Sequence, residues 1–132
     1  MVKLVYDEKE AYSNGPVVYS PLANKGCAFR IYYDEYYRAS DTSAQRAAHI
    51  ASVMEFVNQT FHTEFMHVFI ESINGPRTLT GLPETGVEAE VAHTAMEKLS
   101  VHNDVCVVIW LSGRLYNDNV LGLAWIGAAC SG

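Results

Sequence analysis

The sequence predicts an α/β fold, with a mostly parallel twisted sheet and helices flanking its faces. Strand-like and helix-like patterns alternate along the chain, in the order strand, helix, strand, helix, strand, strand. Two segments have the amphipathic spacing of helices, and one strand, at residues 105–111, is apolar on both faces. Such alternation implies right-handed crossovers between parallel strands.

The amino-terminal half is predicted to hold a leader, two strands and one helix. Residues 1–26 mix proline, glycine and asparagine with few apolar residues, which indicates a loose surface leader with room for short extended pieces. Residues 27–33 alternate as a strand does, and residues 65–73 form the second strand, ended by Asn74-Gly75-Pro76. Between them a capping box, Thr42-Ser43-Ala44-Gln45, opens a helix. Its apolar face contains Ile50, Val53, Met54, Val57 and Phe61.

The carboxy-terminal half is predicted to contain a second helix and two further strands. A second capping box, Thr85-Gly86-Val87-Glu88, opens the helix. Apolar residues recur every four positions along one face of this helix, at Val87, Val91, Ala95 and Leu99. Two more apolar residues, Ala92 and Met96, widen that face. Residues 105–111 have the pattern of a central strand covered by helices, and residues 120–126 form the last strand.

Composition excludes several classes of protein. The 132 residues are 49% hydrophobic and 18% charged, as in a globular domain. The formal net charge is −6 and the nine basic residues are scattered, which argues against binding to nucleic acid or to a membrane surface. The longest apolar run is too short to cross a bilayer, so no membrane insertion by this segment is expected.

Cysteine count and spacing limit the redox chemistry. The chain has three cysteines and no CxxC pair, which excludes a zinc ribbon or a thioredoxin-type site. One internal disulfide with one thiol left over, or a partner cysteine outside the chain, would account for the odd number. Cys27 and Cys106 fall on predicted core strands, which favours a structural role over a nucleophilic one. Asn58-Gln59-Thr60 is a glycosylation sequon if the protein is secreted.

No residue of the chain is predicted to be catalytic or to bind a metal. His62 and His67 resemble HExxH but are five apart, which places them on different faces of a helix or a strand. His49, His93 and His102 have no ligand spacing and are predicted at the surface. The motifs GxSxG, GxGxxG and the P-loop are absent.

Several acidic residues also lie where they need no catalytic role. Asp34-Glu35, Asp7-Glu8 and the cluster Glu84, Glu88 and Glu90 fall at chain entries or helix starts. Water and helix dipoles stabilise carboxylates at such places, so these residues are predicted to be solvated. The pairs Tyr32-Tyr33 and Tyr36-Tyr37 are predicted to pack at the end of the first strand.

The last predicted strand has an unusual composition. Two glycines, Gly122 and Gly127, interrupt or flank an otherwise apolar segment. A glycine in a strand indicates either a bulge in a core strand or a place where another backbone approaches closely. In the second case an extended peptide would add to the strand by β-augmentation.

This segment carries a family resemblance. Residues 115–127, Leu-Tyr-Asn-Asp-Asn-Val-Leu-Gly-Leu-Ala-Trp-Ile-Gly, closely resemble the segment leading into the active-site cleft of ADAM (adamalysin) proteases. The similarity is best with the sheddase branch that includes α-secretase-like and tumour-necrosis-factor-converting enzymes. It extends over residues 25–128 through landmarks in the same order, namely Cys27, Ile31, Asp34, Tyr36-Tyr37, the first helix, Ile73-Asn74, Gly86-Val87 and Asp104-Val105-Cys106.

The resemblance implies a metzincin (zincin-like) endopeptidase that sheds cell-surface proteins. It implies that the substrate backbone pairs with one edge strand, here Val120, Leu121, Gly122, Leu123 and Ala124. It also implies a bond between Cys27 and Cys106, a downstream partner for Cys130, and an extracellular setting, either secreted or in the ectodomain of a cell-surface protein. Residues 1–26 would precede the domain and residues 27–132 would form its amino-terminal part.

The chain lacks parts that this family requires. The zinc-binding HExxHxxGxxH segment is absent, so the zinc cofactor would be bound by residues outside this chain. The fifth strand, which the family inserts between the third and fourth, is missing too. The partners of this chain would then be the carboxy-terminal remainder of the domain and an extended peptide or protein substrate.

Three hypotheses follow. The chain is an enzyme fragment completed by a zinc-binding remainder, or a truncated, non-catalytic module that captures an extended peptide on its edge strand. The third, an unrelated intracellular domain with free thiols, would be contradicted by a bond between Cys27 and Cys106, because such bonds rarely persist in the cytosol.

Overall fold

The computed structural model describes residues 2–5, 25–62 and 66–124. Three parallel strands form its main sheet and two α-helices pack against it, so the predicted α/β class with a parallel sheet is confirmed. The elements are β1 (Val2–Val5), β2 (Lys25–Asp34), α1 (Ser43–His62), β3 (Met66–Arg77), β4 (Thr85–Val87), α2 (Ala89–Leu99), β5 (Val107–Leu111), β6 (Leu115–Tyr116), the 3-10 turn η1 (Asn117–Asn119) and β7 (Val120–Ala124).

The main sheet has the order β3-β2-β5, and the two helices lie on its opposite faces. Ile31 of β2 packs in a buried cluster with Ile50 of α1. On the other face the ring of Tyr32 stacks on Trp110, with 4.9 Å between centroids. Trp110 in turn packs against the cluster that contains Met96 of α2. Side-chain alternation along β2 and β5 therefore sends neighbouring residues into two different cores.

Helix α1 begins at the predicted capping box. The Thr42 amide donates to Gln45 Oε1 at 2.8 Å, and the Gln45 amide donates to Thr42 Oγ1 at 3.1 Å. Ile50 and Met54 are buried, as predicted, whereas Val53 is 47% exposed. The buried stripe of α1 is thus narrower than the sequence pattern.

Helix α2 has a different start and a different buried face from those predicted. Residues 85–87 form strand β4, the helix begins at Ala89, and Glu88 makes no side-chain capping bond, so the second capping box was wrong. Val91 and Leu99 are 52% and 47% exposed, whereas Ala89, Ala92 and Met96 are buried. The four-residue stripe drifts around a helix of 3.6 residues per turn, while steps of three and four stay on the face towards β5.

Strand β5 lies at the edge of the described sheet, so its predicted central position was wrong. It pairs with β2 from Phe29↔Val107 to Tyr33↔Leu111, and β2 is the central strand. Both faces of β5 contact apolar clusters, through Leu111 on the α1 side and Trp110 on the α2 side. An edge strand covered on both faces has the same apolar sequence pattern as a central one.

Two small sheets flank the main one. Strand β4 pairs in parallel with β6, and β1 pairs antiparallel with β7. Residues 2–5 of the predicted leader thus form a strand, while residues 6–24 lie outside the described residues. Of the predicted strand 120–126, the described part is β7, and residues 125–126 lie outside.

Candidate functional site

Two features lie at one end and one edge of the main sheet. At the carboxyl ends of β2 and β5, an ionic cluster forms around Asp34 and Arg114. Along the outer edge of β5, a groove separates this strand from β7. Carboxyl ends of parallel strands are the usual place for ligands in such sheets, so the ionic cluster is a candidate. The groove is a candidate because it is a concave, mostly apolar space.

Asp34 is fully buried, so its predicted solvation was wrong. Its Oδ1 accepts hydrogen bonds from the amides of Tyr36 at 3.0 Å, Tyr37 at 2.9 Å and Gly113 at 3.1 Å. Its Oδ2 accepts one from Arg114 Nη1 at 2.8 Å and one from the Ser112 hydroxyl. Five donors replace the water that a carboxylate loses on burial.

Arg114 uses all five of its N–H groups inside the protein. Nη1 donates to Asp34 and Glu35, and the other nitrogens donate to the carbonyls of Pro83, Leu82 and Leu79. Burial alone would lower the pKa of Arg114, but the hydrogen bonds to Glu35 and Asp34 raise it above its ordinary value. No donor is left to act on a substrate, so the cluster ties the loops after β2, β3 and β5 together.

Gly113 is required where the loop after β5 meets the turn after β2. A Cβ at this position would overlap the carbonyl group of Tyr36, which is backbone and cannot rotate away. We expect Gly113→Ala to lower the free energy of unfolding by about 1–3 kcal/mol in urea denaturation. Gly26→Ala is the control, because its Cβ would meet only the movable, 41% exposed ring of Phe69. Equal stability of the two variants would contradict this account.

Tyr116 joins the cluster through Ser112, whose hydroxyl lies 2.6 Å from the phenol oxygen. Burial raises the pKa of Tyr116 above 10.0, although the Ser112 hydrogen bond acts in the opposite direction. The folded state therefore holds the phenol proton more tightly than the unfolded state does. That contribution to stability is complete below the unfolded pKa, and it is lost as the pH rises through the folded pKa.

The expected result is a pH-dependent difference between the natural chain and Tyr116→Phe. Phenylalanine cannot ionise, so the variant should lose less of its free energy of unfolding as the pH rises above about 10, the ordinary pKa of tyrosine. Urea denaturation at a series of pH values measures the two slopes, and the values at pH 7 serve as the reference. Identical slopes would show that the Tyr116 phenol ionises equally easily in both states.

The β5–β7 groove is bounded by residues 105–111, by residues 120–124 and by one face of α2. Its volume is about 1210 Å³. Every residue of β5 and of β7 lines it, on both faces of each strand, so it follows strand edges rather than one sheet face. His93 and Met96 of α2 also line it. Small-molecule pockets usually measure about 300–1,000 Å³, so the groove has room for a larger occupant.

Strand β7 combines buried and open residues. Val120 is buried, Gly122 and Leu123 are half-buried, and Leu121 is 59% exposed. Its pairing with β1 uses one edge, its other edge has no described strand partner, and all five of its residues line the groove. The five residues predicted to bind substrate therefore form one strand that also borders the groove.

The structure joins Cys27 and Cys106 in a disulfide, with 5.1 Å between their Cα atoms. The bond connects β2 to the segment before β5, where the Cys106 amide also donates to the Ala28 carbonyl at 2.9 Å. Cys130 lies outside the described residues. Asn58 lies in α1, and its Oδ1 accepts a hydrogen bond from the Val68 amide at 2.8 Å.

The described residues do not fit a zinc site, because they contain no group of three His, Cys, Asp or Glu side chains that could hold a metal. The ring of His67 stacks on Phe69 at 5.7 Å. His102 is exposed, as predicted, whereas His49 and His93 are half-buried and not fully at the surface.

The sequence interpretation missed Arg114. A lone arginine just after a buried strand, with an acidic pair ending another strand of a parallel sheet, is a signal that could have identified it.

In the described part of the chain, no helix is long and apolar enough to span a membrane. Comparisons with family models, with curated proteins and with solved structures found no match to this chain.

Proposed function

We propose that this chain is the amino-terminal part of an ADAM-type zinc endopeptidase domain, completed by a zinc-binding segment outside the 132 residues. The observation that carries the proposal is the β5–β7 groove, where the described residues leave one edge of each strand without a strand partner across a mostly apolar space. The chain supplies the wall of a substrate cleft, and the zinc chemistry belongs to the other segment.

The open edge of β5 supports the proposal that a strand from outside this chain pairs with it. Among the described strands, β5 pairs with β2 alone, so the amides and carbonyls of its outer edge point into the groove. Backbone polar groups in an apolar setting need hydrogen-bond partners. The family resemblance expects a fifth strand between the third and fourth, and these two correspond to β5 and β7 here. A strand in the groove would satisfy both edges.

The role proposed for β7 is to position substrate on its edge away from the groove, since the missing strand would take the groove edge. An extended peptide running along Val120–Ala124 on that edge would form main-chain hydrogen bonds, which give affinity without strict sequence selection. Leu121 and Leu123 project to the same side of the strand and would contact alternate peptide side chains. Because the described residues do not fit zinc, no step of bond cleavage is assigned to this chain.

The disulfide supports an extracellular setting for the proposed enzyme. Disulfides persist in secreted proteins and ectodomains and are rare in the cytosol. In this setting Asn58 is a candidate for glycosylation, through the Nδ2 atom of the amide whose Oδ1 caps the start of β3.

Complementation tests the proposal. The chain is co-expressed with a separate polypeptide that carries the fifth strand and HExxHxxGxxH of a sheddase-branch ADAM protease. We expect a one-to-one complex that contains zinc and cleaves a quenched fluorescent peptide, whereas neither polypeptide alone does so.

Two variants make this test specific. Leu121→Pro with Gly122→Pro removes one amide donor from each edge of β7, and cleavage should fall at least about tenfold. Val53→Ala, at a 47% exposed position on α1, is the control and should leave cleavage unchanged. A complex that binds zinc but does not cleave, or polypeptides that do not associate, would contradict the proposal.

One observation favours the second candidate, a non-catalytic module that captures peptides. β7 already holds an extended segment, because β1 pairs with it antiparallel. If peptide binding to β7 were demonstrated while every complementing segment failed to give cleavage, this candidate would replace the first.

A further inference from the structure

The chain places its own strand β1 on β7. The register is antiparallel, with Val2 opposite Ala124, Lys3 opposite Leu123 and Leu4 opposite Gly122. An extended segment from far away in the sequence therefore lies where the proposed function places a peptide. Antiparallel addition to a strand edge is one of the standard modes of peptide recognition.

The β1–β7 pair is short and irregular, which favours its replacement by a competing strand. Strand β1 has four residues, and its register shifts between Leu4 and Val5. The pair forms a two-stranded sheet of its own and does not extend the three-stranded sheet. Strand β7 also contacts α2 and β6, whereas the main described contacts of β1 are with β7 alone, so a competing segment can displace β1 without disturbing the main sheet.

The composition of β1 also matches an occupant of this edge. Its sequence, Val-Lys-Leu-Val, has aliphatic residues at three of its four positions. Leu4 lies opposite Gly122, which has no side chain and lets the backbone of a partner strand approach. The chain thus indicates the kind of segment that β7 accepts, a short one rich in aliphatic residues.

We propose that Val2–Val5 occupy the peptide-binding edge of β7 and keep it closed to other extended segments until β1 leaves. The inference rests on the proposed function in one respect, the assignment of β7 as the peptide-binding strand. A tethered strand competes at an effective concentration on the order of millimolar, so a weakly binding peptide in solution is excluded. Release of β1 would then make the edge available.

The test uses the full chain and a fluorescein-labelled peptide with the sequence of residues 2–6, Val-Lys-Leu-Val-Tyr. Adjacent amides in a strand point to opposite edges, so Lys3→Pro with Leu4→Pro removes an amide that faces β7. The matched control is Lys3→Ala with Leu4→Ala, which keeps both amides. We expect the proline variant to bind the peptide at least about tenfold more tightly than the alanine variant, by fluorescence polarisation.

Equal peptide binding by the two variants, or no binding by either, would overturn the inference. Hydrogen exchange on the unaltered chain provides a second test that does not depend on how the variants fold. Saturating peptide should speed exchange of the β1 amides while the β7 amides stay protected. Slow exchange in β1 at saturating peptide would equally overturn it.

The two proposals fail separately. Peptide binding that the proline substitutions release, together with failed complementation, would support the closing role of β1 and contradict the peptidase. Cleavage by the complemented enzyme that is the same in the proline and alanine variants would support the peptidase and contradict the closing role.

Discussion

Replacing Arg114 by methionine is expected to lower the free energy of unfolding by about 3–5 kcal/mol, as measured by urea denaturation. The side chains of Arg114 and Asp34 have no exposed surface, and their nitrogen and oxygen atoms lie 2.8 Å apart. Methionine fills much of the same space but leaves the carboxylate of Asp34 buried without its cation. An unpaired buried charge costs far more than the loss of one surface contact.

The control for this variant is Arg38→Met. Arg38 pairs with Asp41 at 2.5 Å, but its side chain is 45% exposed, so the cost should be about 0–1 kcal/mol. Adding Asp34→Asn to Arg114→Met should recover part of the loss, because it removes the unpaired charge. If Arg114→Met were as mild as Arg38→Met, the ionic cluster would not hold the loops as described.

Reduction of the Cys27–Cys106 disulfide is expected to cost about 4 kcal/mol, the second large effect. The two cysteines are 79 residues apart in sequence, so the bond closes a long loop and restricts the unfolded chain strongly. Thermal and urea unfolding of the same chain, oxidised and reduced, measures the difference without changing any side chain.

The measurement is made in a Cys130→Ala background, so that the third cysteine cannot exchange with the other two. Alkylation before reduction should label neither Cys27 nor Cys106, and alkylation after reduction should label both. Oxidised and reduced chains of equal stability would contradict the expected effect.

The periodicity of apolar residues predicted where helices and strands lie better than it predicted what packs or pairs with them. The alternation at residues 27–33 and the capping box at Thr42 located β2 and α1, because both signals are local. For β5 the signal was real but ambiguous. Apolar residues on both faces record cover by two helical layers and contain no information about the strand's edges.

The ionic cluster depends on contacts that local patterns do not contain. Asp34 and Arg114 are 80 residues apart, and Asp34-Glu35 alone has the composition of a solvated turn. Only the parallel pairing of β2 with β5 brings the acidic pair and the arginine to one end of the sheet. The pairing of β1 with β7 could not be predicted from local patterns either, because its register depends on how the whole chain folds.

The most direct test of the central claim is amide hydrogen exchange, followed by NMR, on the chain with and without the complementing zinc-binding polypeptide. The amides of β5 that face β2 should be protected in both samples. Those of the alternate residues in Val107–Leu111 face the groove and should become protected only when a strand enters. If these amides exchange equally fast with the complementing polypeptide bound, the groove does not take a strand and the peptidase proposal is wrong.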